Sequence, residues 1–381
     1  MSVYLDHAAT SPPRREVLEA VWPYLTTVTG NPSSAHEAGR AAKAALDGAR
    51  ELVAGVLACR PGEVVFTGSG TEADNLAVTG IATAAPRGRH VVLSSIEHPA
   101  VLETARALQA HGFRVDVLGV DDAGRLDPAD VARAITTETT LVSVMTANNE
   151  IGTLQPTAEI GAVCRERRVP FHTDAVQAAG HVPVDLPTLG ADAVTLSAHK
   201  FGGLRGNGVL AVRGAVPLAP VLHGGGQERG RRSGTVDVAG AVGTAVALHH
   251  AEADRLAEHA RLRALRDRLV AGVLGSVEGA RLTGHPEHRL PGHASFTFAG
   301  LGGETILAEL EARGILCSSG SACSADADDA SHVLLACGLD ADTARTAVRF
   351  SMGRTTTEED VSAVLAALPV AVGAAGGGLS R

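Results

Sequence analysis

Apolar runs of strand length alternate with helical patterns over residues 63–212 of the 381-residue chain. The runs are rich in Val, Leu and Ile and are nearly continuous, which is typical of strands buried on both faces of a sheet. Helical patterns at 99–109, 127–135 and 157–168 separate several of these runs. Alternation of strand and helix predicts an α/β fold with a mostly parallel, doubly wound sheet. We predict its strands at 64–67, 90–94, 113–120, 140–146, 170–174, 192–197 and 208–212.

The pattern changes after Asp237. A long helical stretch rich in Ala, Leu, Glu and Arg extends to about residue 273, and short strands, short helices and a Ser/Gly/Asp-rich loop follow it. This change predicts a second, smaller α+β domain. We place the large domain at 16–250 and the small domain at 1–15 together with 251–381.

Composition narrows the classes of function. Lys plus Arg is 33 and Asp plus Glu is 42, and the resulting formal charge of −9 argues against general nucleic-acid binding. The first residues lack the basic and apolar regions of a signal peptide, and no run of about 18 uninterrupted apolar residues predicts a membrane span. The five cysteines include no CxxC pair, so we expect neither a disulfide framework nor a metal site. We therefore expect a cytoplasmic protein.

Only two of the 33 basic residues are lysines, Lys43 and Lys200. Lys43 lies in an Ala-rich helical pattern, which is typical of a solvated helix face. Lys200 follows the strand predicted at 192–197, at the end of the sheet where open α/β folds bind ligands. Because an arginine does not lose its proton and act as an amine nucleophile, Lys200 is the candidate for amine chemistry.

Two further strand ends carry candidate residues. The sequence Gly-Ser-Gly-Thr-Glu-Ala at 68–73 follows a strand and opens a helix, an arrangement that binds phosphate through backbone N–H groups. It also fits a dinucleotide fingerprint, but the acidic residue expected about 20 positions later is missing, so a phosphate site is the better interpretation. Asp174 ends another buried strand. Pyridoxal phosphate (PLP) needs an amine, an acid against its ring nitrogen and a phosphate cradle, which Lys200, Asp174 and Gly70-Thr71 supply.

Cys323 is the candidate nucleophile. It lies in a polar, acidic segment that also contains Asp326, Asp328 and Asp329. A cysteine in such a segment is a liability unless its reactivity is used. The other four thiols, which we expect to be packed as small apolar groups, are Cys59, Cys164, Cys317 and Cys337.

These candidate residues and the motifs around them resemble those of the cysteine desulfurases of the NifS/IscS type. Those enzymes are class-V aminotransferases of PLP fold type I. The resemblance extends nearly from end to end, and the order and spacing of its motifs are specific. They include Ser-Ala-His-Lys at 197–200 and Ser-Ser-Gly-Ser-Ala-Cys at 318–323. The others lie at 4–10, 30–36, 67–75, 97–98, 148–152, 172–177, 223–230, 232–235 and 348–353.

The resemblance implies a role for each candidate residue. Lys200 would carry the cofactor as a Schiff base, Asp174 would pair with the ring nitrogen, and His98 would stack on the ring and transfer protons. Arg349 would bind the substrate carboxylate, and Cys323 would take the sulfur. The remaining cofactor-binding residues would be Gly70, Thr71, Asn149, Gln177, Ser197 and His199, with Thr235 reaching the phosphate of a second subunit and Asn149 also near the substrate.

The implied activity is conversion of L-cysteine to L-alanine, with the sulfur passed as a persulfide on Cys323 to an acceptor protein. The acceptor pathway stays open among iron–sulfur assembly, tRNA thiolation, DNA phosphorothioation and sulfur-containing metabolites. A homodimer is also implied. The alternatives are a selenocysteine lyase or an aminotransferase of the same fold, a nicotinamide dehydrogenase, and a non-catalytic sulfur carrier. Cys323 argues against the aminotransferase, and Lys200 with Asp174 argues against the carrier.

Overall fold

The computed structural model describes residues 2–84, 87–319 and 330–377. A short strand, β1 (Val3–Tyr4), precedes the main sheet of seven strands. These are β2 (Val64–Thr67), β3 (His90–Ser94), β4 (Arg114–Leu118), β5 (Thr139–Ser143), β6 (Phe171–Asp174), β7 (Ala193–Ser197) and β8 (Gly208–Val212). Their order is β2-β8-β7-β6-β5-β3-β4, and only β8 is antiparallel to its neighbours. The predicted mostly parallel sheet is confirmed.

Helices cover both faces of this sheet. On one face, Leu76 and Val101 belong to a core with Val91 and Leu141 of the strands. On the other face, Val53 and Ile160 belong to a second core with the sheet residue Val194. The helices up to residue 276 are α1 (Arg15–Thr26), α2 (Glu37–Val56), α3 (Gly70–Ala84), α4 (Pro99–Ala110), α5 (Pro128–Ala134), α6 (Thr157–Arg167), α7 (Leu186–Leu189) and α8 (Val238–Ser276). The result is a three-layer, doubly wound arrangement.

One predicted strand differs from its expectation. We expected the run at 113–120 to be buried on both faces, but β4 is shorter and partly exposed, with Val117 51% exposed. The reason is its position, because β4 pairs with β3 on one side only and forms an edge of the sheet. Apolar composition does not distinguish an edge strand from a central one.

A smaller α+β unit follows. Its three-stranded antiparallel sheet has the order β12-β10-β9, and a parallel pair joins β1 to β11. Leu5 lies in the same core as Phe296, Phe350 and Leu368, so the N-terminal residues pack with the C-terminal ones. The elements are β9 (Ala280–Leu282), β10 (His293–Phe298), α9 (Gly303–Glu311), β11 (Ile315–Leu316), α10 (His332–Ala336), α11 (Ala341–Ala344), β12 (Val348–Ser351) and α12 (Glu358–Gly377).

Helix α8 has 39 residues and belongs to both units. Its Ala245 and Leu248 lie in the core of the large sheet, whereas Leu265 and Leu269 lie in the core of the smaller unit. The boundary predicted between residues 250 and 251 therefore falls inside one continuous helix. The division of the chain into two domains stays a prediction.

Helix α12 is, among the described residues, the one helix that is long and apolar enough to cross a membrane by length and composition. Four of its side chains, Val361, Val364, Leu368 and Ala371, are fully buried in the core of the smaller unit. A core helix of a globular protein has this composition for the same reason, since it packs its apolar face against other elements.

Candidate active site

The candidate residues lie at the carboxyl ends of the sheet strands. Asp174 ends β6, Ser197 ends β7, and Lys200 follows three residues later. His98 follows β3, and Gly70 begins α3 directly after β2. Because these strands run in the same direction, their carboxyl ends meet at one edge, where open α/β sheets bind ligands.

The loop before α3 forms an anion cradle. No hydrogen bond among the described residues uses the N–H groups of Gly70 and Thr71, which lie at the start of a 15-residue helix. A Cβ on Gly70 would lie 2.9 Å from the Cβ of Ser197, so this approach of two strand ends requires glycine. Glu72 is held by the Gly68 N–H at 2.7 Å and by Arg232 at 2.7 Å. The helix dipole and the free N–H groups suit a phosphate.

Lys200 and Asp174 act on one another electrostatically. Burial raises the pKa of the Asp174 carboxyl to about 6, while the Val176 N–H at 2.8 Å and the Lys200 charge oppose that rise. Lys200 Nζ donates to the carbonyl oxygens of Ala8 at 2.5 Å and Ala9 at 2.9 Å. A cation held beside the carboxyl favours its ionised form, as a partner of a protonated ring nitrogen requires.

Hydrogen bonds orient the side chains of Gln177, His98 and His199. Gln177 Nε2 donates to the same Ala8 carbonyl oxygen at 3.0 Å. His98 caps α4, and its Nδ1 accepts from the Ala100 N–H at 3.1 Å, so the proton of the neutral ring lies on Nε2. His199 Nδ1 lies 3.0 Å from Thr10 Oγ1. Burial, followed by the Lys200 charge, lowers the pKa of both His98 and His199 to about 4.

Arg349 lies on β12 and is only 3% exposed on its side chain. It donates to Asp6 Oδ1 at 2.7 Å and to the Asn149 carbonyl oxygen at 2.8 Å. Its backbone N–H donates to the Ser318 carbonyl oxygen at 2.6 Å. The guanidinium is therefore oriented by a carboxylate and a carbonyl, and its strand pairs with the residue that begins the 318–323 motif.

The structure does not bring Thr235 into this group, and it does not describe Cys323. Thr235 is exposed, and no side-chain hydrogen bond within the described residues ties it to the phosphate loop. Cys323 lies outside the described residues. Ser197 and Asn149, in contrast, are buried.

Comparison with known proteins identifies the family of this chain. The family model of class-V aminotransferases matches residues 3–364. A cysteine desulfurase IscS of Methanosarcina thermophila is 46% identical over 97% of this chain and 91% of its own length. An IscS-like cysteine desulfurase of Mycobacterium tuberculosis is 47% identical over 97% of this chain and 96% of its own length. A solved NifS-like protein has a TM-score of 0.91 at 36% identity, covering 98% of this chain and 100% of its own.

The chain belongs to the class-V aminotransferase family. Class-V aminotransferases and cysteine desulfurases are PLP enzymes, so the cofactor expected from Lys200, Asp174 and the phosphate loop is confirmed. The sequence-based prediction of a cysteine desulfurase, with the fold of a PLP enzyme of fold type I, is confirmed as well.

The residues present fit the family's cofactor. The cradle at Gly70 presents free N–H donors to a phosphate, and Asp174 presents a buried carboxyl beside a lysine amine. Among the described residues, no group of three or more His, Cys, Asp or Glu side chains has the arrangement of a metal site.

Several partners of the predicted residues were not predicted from the sequence. Asp6 orients Arg349, the carbonyls of Ala8 and Ala9 hold Lys200, and Thr10 contacts His199. All lie in the motif at 4–10, which carried the family resemblance but no assigned role. Their separation from the residues they contact, up to 343 positions, explains why no local pattern identified them.

Proposed function

We propose that this chain removes sulfur from L-cysteine, forming L-alanine, and passes the sulfur through a persulfide on Cys323 to an acceptor protein. The observation that carries the proposal is the meeting of Lys200, one of only two lysines, with Asp174 and the anion cradle at one sheet edge. When bound, PLP supplies an electron sink for the negative charge that develops at the substrate Cα.

The residues around the cradle would hold and orient the cofactor. The N–H groups of Gly70 and Thr71, with Ser197 and His199, bind the phosphate. Asp174 would stabilise the proton on the ring nitrogen. Gln177 and Asn149 orient polar groups near the ring. Gln177 is well placed for this task because its Nε2 is already fixed by the Ala8 carbonyl oxygen.

Two side chains would move protons. Lys200 Nζ removes the proton from the substrate Cα, because an amine that is partly withdrawn from water and close to other cationic groups gives up its own proton more readily. His98 is neutral near pH 7, since burial lowers its pKa to about 4. It donates from Nε2 while Nδ1 stays on the cap of α4.

Arg349 would bind the substrate carboxylate. A guanidinium offers two parallel N–H donors to a carboxylate, which fixes the direction of the amino acid as well as its position. The contacts of Arg349 with Asp6 and with the Asn149 carbonyl oxygen restrict its rotamers before substrate arrives. Less side-chain entropy is then lost on binding.

Cys323 would accept the sulfur. Its thiolate attacks the substrate sulfur, an S–S bond forms, and the Cβ–S bond breaks with its electron pair left on carbon. Protonation at that carbon gives alanine.

An aminotransferase has no use for the Cys323 thiol, and the residue therefore favours a desulfurase. Use of selenocysteine as a second substrate stays an alternative. The acceptor is a protein, and iron–sulfur assembly in the cytoplasm is the pathway we favour from the similarity to IscS.

The proposal includes the association of two copies of this chain as a homodimer. Leu18, Trp22 and Leu25 lie on one face of α1 and are 48%, 66% and 62% exposed, an apolar stripe that a second copy would cover. Thr235 is exposed as well, as expected of a residue that reaches the phosphate of a partner subunit. C2 dimers are the most common form of soluble oligomer.

Comparison of the two lysines tests the activity. The Lys200→Ala variant should lose the visible absorbance of the lysine-bound cofactor and all formation of alanine from L-cysteine. The Lys43→Ala variant is the matched control, since Lys43 is exposed and pairs with Asp47 on α2, and it should retain both. Alanine formation at a wild-type rate by the Lys200→Ala variant would contradict the proposal.

A further inference from the structure

A small cavity next to Lys200 is lined by three histidines, His7, His181 and His293. Its volume is about 20 Å³, which is enough for one water molecule. It lies between the two units of the fold, because His181 and Lys200 belong to the large unit. His293 lies on β10, and the His7 N–H donates to the Ser351 carbonyl oxygen of β12. Lys200 is itself part of the wall, and the other lining residues are Ala8, Gln177, Leu290, Gly292, Ser351 and Met352. We call it the three-histidine cavity.

Each histidine has a ring nitrogen without a partner. His7 Nε2, His181 Nδ1 and His293 Nδ1 are shielded from solvent and make no hydrogen bond within the described residues. Buried polar atoms are nearly always satisfied, by protein or by ordered water. The described residues contain no cluster suited to a metal ion. A water molecule in this cavity would supply a hydrogen-bond partner to the histidines that line it.

The protonation state of the rings suits a water partner. His293 Nε2 lies 3.1 Å from the Asn149 carbonyl oxygen and donates to it, so its Nδ1 is a bare acceptor. Burial lowers the pKa of His7 and of His181 to about 4, and that of His293 well below its ordinary value. The other groups acting on these rings are Arg261, Arg354, Glu258, His259, Arg289 and Arg349. A neutral imidazole both accepts and donates a hydrogen bond.

A second pocket adjoins the three-histidine cavity and extends to the protein surface. It has a volume of about 60 Å³ and shares His7, His181 and Lys200 with the three-histidine cavity. Its wall also includes Pro12, Arg354 and Thr355, which are exposed. We call it the outer pocket. His7 and His181 thus stand between the interior cavity and a pocket that reaches solvent-exposed residues.

We propose that a water molecule in the three-histidine cavity relays protons between the Lys200 amine and the outer pocket. The ammonium group of Lys200 gives one proton to the water, and the water gives one of its protons to the unpaired Nδ1 of His181. That ring releases the proton from its other nitrogen to solvent in the outer pocket. Charge and protons balance, and the reverse sequence returns a proton to Lys200.

The inference rests on the proposed function for the need to deprotonate Lys200, but the relay itself is a property of the chain. His181 takes up and releases the relayed proton, whereas His7 and His293 position the water. His293 anchors the water through its bare Nδ1, and its own proton stays on Nε2, which donates to the Asn149 carbonyl oxygen. His181 is the better target for substitution, since its side chain is only half-buried.

The small number of lysines makes the relay measurable by NMR. In cofactor-free chain labelled with [15N]lysine, only Lys200 and Lys43 give amine signals, and the hydrogen-exchange rate of each can be followed. The His181→Leu variant should slow exchange at Lys200 at least fivefold and leave exchange at Lys43 unchanged. The control variant His249→Leu replaces an exposed histidine on α8 and should change neither rate.

Two further measurements keep the test decisive. If His181→Leu fails to fold, His181→Gln is the second variant. Its amide is polar but cannot take up a proton at one nitrogen and release one from another, so it should also slow hydrogen exchange at Lys200. In the loaded enzyme, either variant should lower kcat at least fivefold with KM for L-cysteine within twofold. Exchange at Lys200 within twofold of wild type in the folded variants would overturn the relay. Absence of alanine formation in the wild-type chain would instead overturn the proposed function.

Discussion

Arg50 and Glu228 form a two-pronged ion pair that is almost entirely buried. Arg50 Nη2 donates to Glu228 Oε1 at 2.6 Å, and Nη1 donates to Oε2 at 2.9 Å, with side-chain exposures of 5% and 2%. Glu228 Oε2 also accepts from the Phe66 N–H at 2.9 Å. The pair ties the Gly- and Arg-rich segment at 223–235 to α2 and to β2, directly before the phosphate loop.

Removing one partner of this pair should be strongly destabilising. In the Glu228→Ala variant, the Arg50 charge and the Phe66 N–H lose their buried acceptor, which costs about 3–5 kcal/mol of unfolding free energy. Urea unfolding of the full chain measures it. Lys43→Ala, which removes an exposed pair on the same helix, should change the free energy of unfolding by less than about 0.5 kcal/mol. Equal losses in the two variants would show that Glu228 does not hold this segment.

Glu97 should make stability depend on pH. Its carboxyl is fully buried, and burial raises its pKa to about 8 even though Ser94 and the Met145 N–H donate to Oε1. The folded chain therefore keeps this proton between about pH 5 and 8, where the unfolded chain has lost it. Folding binds a proton over that range, so the free energy of unfolding falls as pH rises.

The Glu97→Gln variant isolates that effect. A glutamine amide resembles the protonated carboxyl but does not titrate. Between pH 5 and 8, the free energy of unfolding should therefore fall by about 1–3 kcal/mol less in the variant than in wild type. Denaturant unfolding at several pH values gives the comparison. Glu278→Gln, at an exposed position, is the control and should follow wild type. Parallel curves for Glu97→Gln and wild type would show that Glu97 is ionised in the folded chain near neutral pH.

Iodoacetamide should label Cys323 before any other thiol at pH 8. Burial raises the pKa of Cys59 to about 11 and that of Cys164, Cys317 and Cys337 to about 12, so these four thiols hold almost no thiolate at this pH. Mass spectrometry after short exposure should find one labelled site in wild type and almost none in Cys323→Ser. The same variant should bind cofactor and L-cysteine but release no sulfide. Sulfide release at the wild-type rate would remove Cys323 from the proposed reaction.

The exposed stripe on α1 should hold the dimer together. The Trp22→Glu variant places a charge where an aromatic side chain would be covered by the second copy, and the dimer dissociation constant should rise at least tenfold. Sedimentation across micromolar concentrations measures it. Leu256→Glu, at an exposed apolar position on α8, is the matched control. A monomeric wild type would exclude the dimer. An unchanged dimer dissociation constant in Trp22→Glu would place the interface away from α1.

Local pattern in the sequence determined much of the fold. Near-continuous apolar runs identified the strands, because a strand buried on both faces is apolar at every position. The rarity of lysine singled out Lys200, and strand ends indicated Asp174 and Gly70. The runs and the strand ends depend on residues within a few positions of each other, and the rarity of lysine depends on composition alone. Both can therefore be predicted without coordinates.

Tertiary structure decided the rest, because the decisive contacts join distant parts of the chain. The order of the strands left β4 at an edge, although its composition resembles that of a central strand. Arg349 meets Asp6 across 343 positions, and Arg50 meets Glu228 across 178. The three histidines beside Lys200 come from three separate segments of the chain. No period or motif in the sequence links them, since burial and the absence of hydrogen-bond partners arise only when those segments pack.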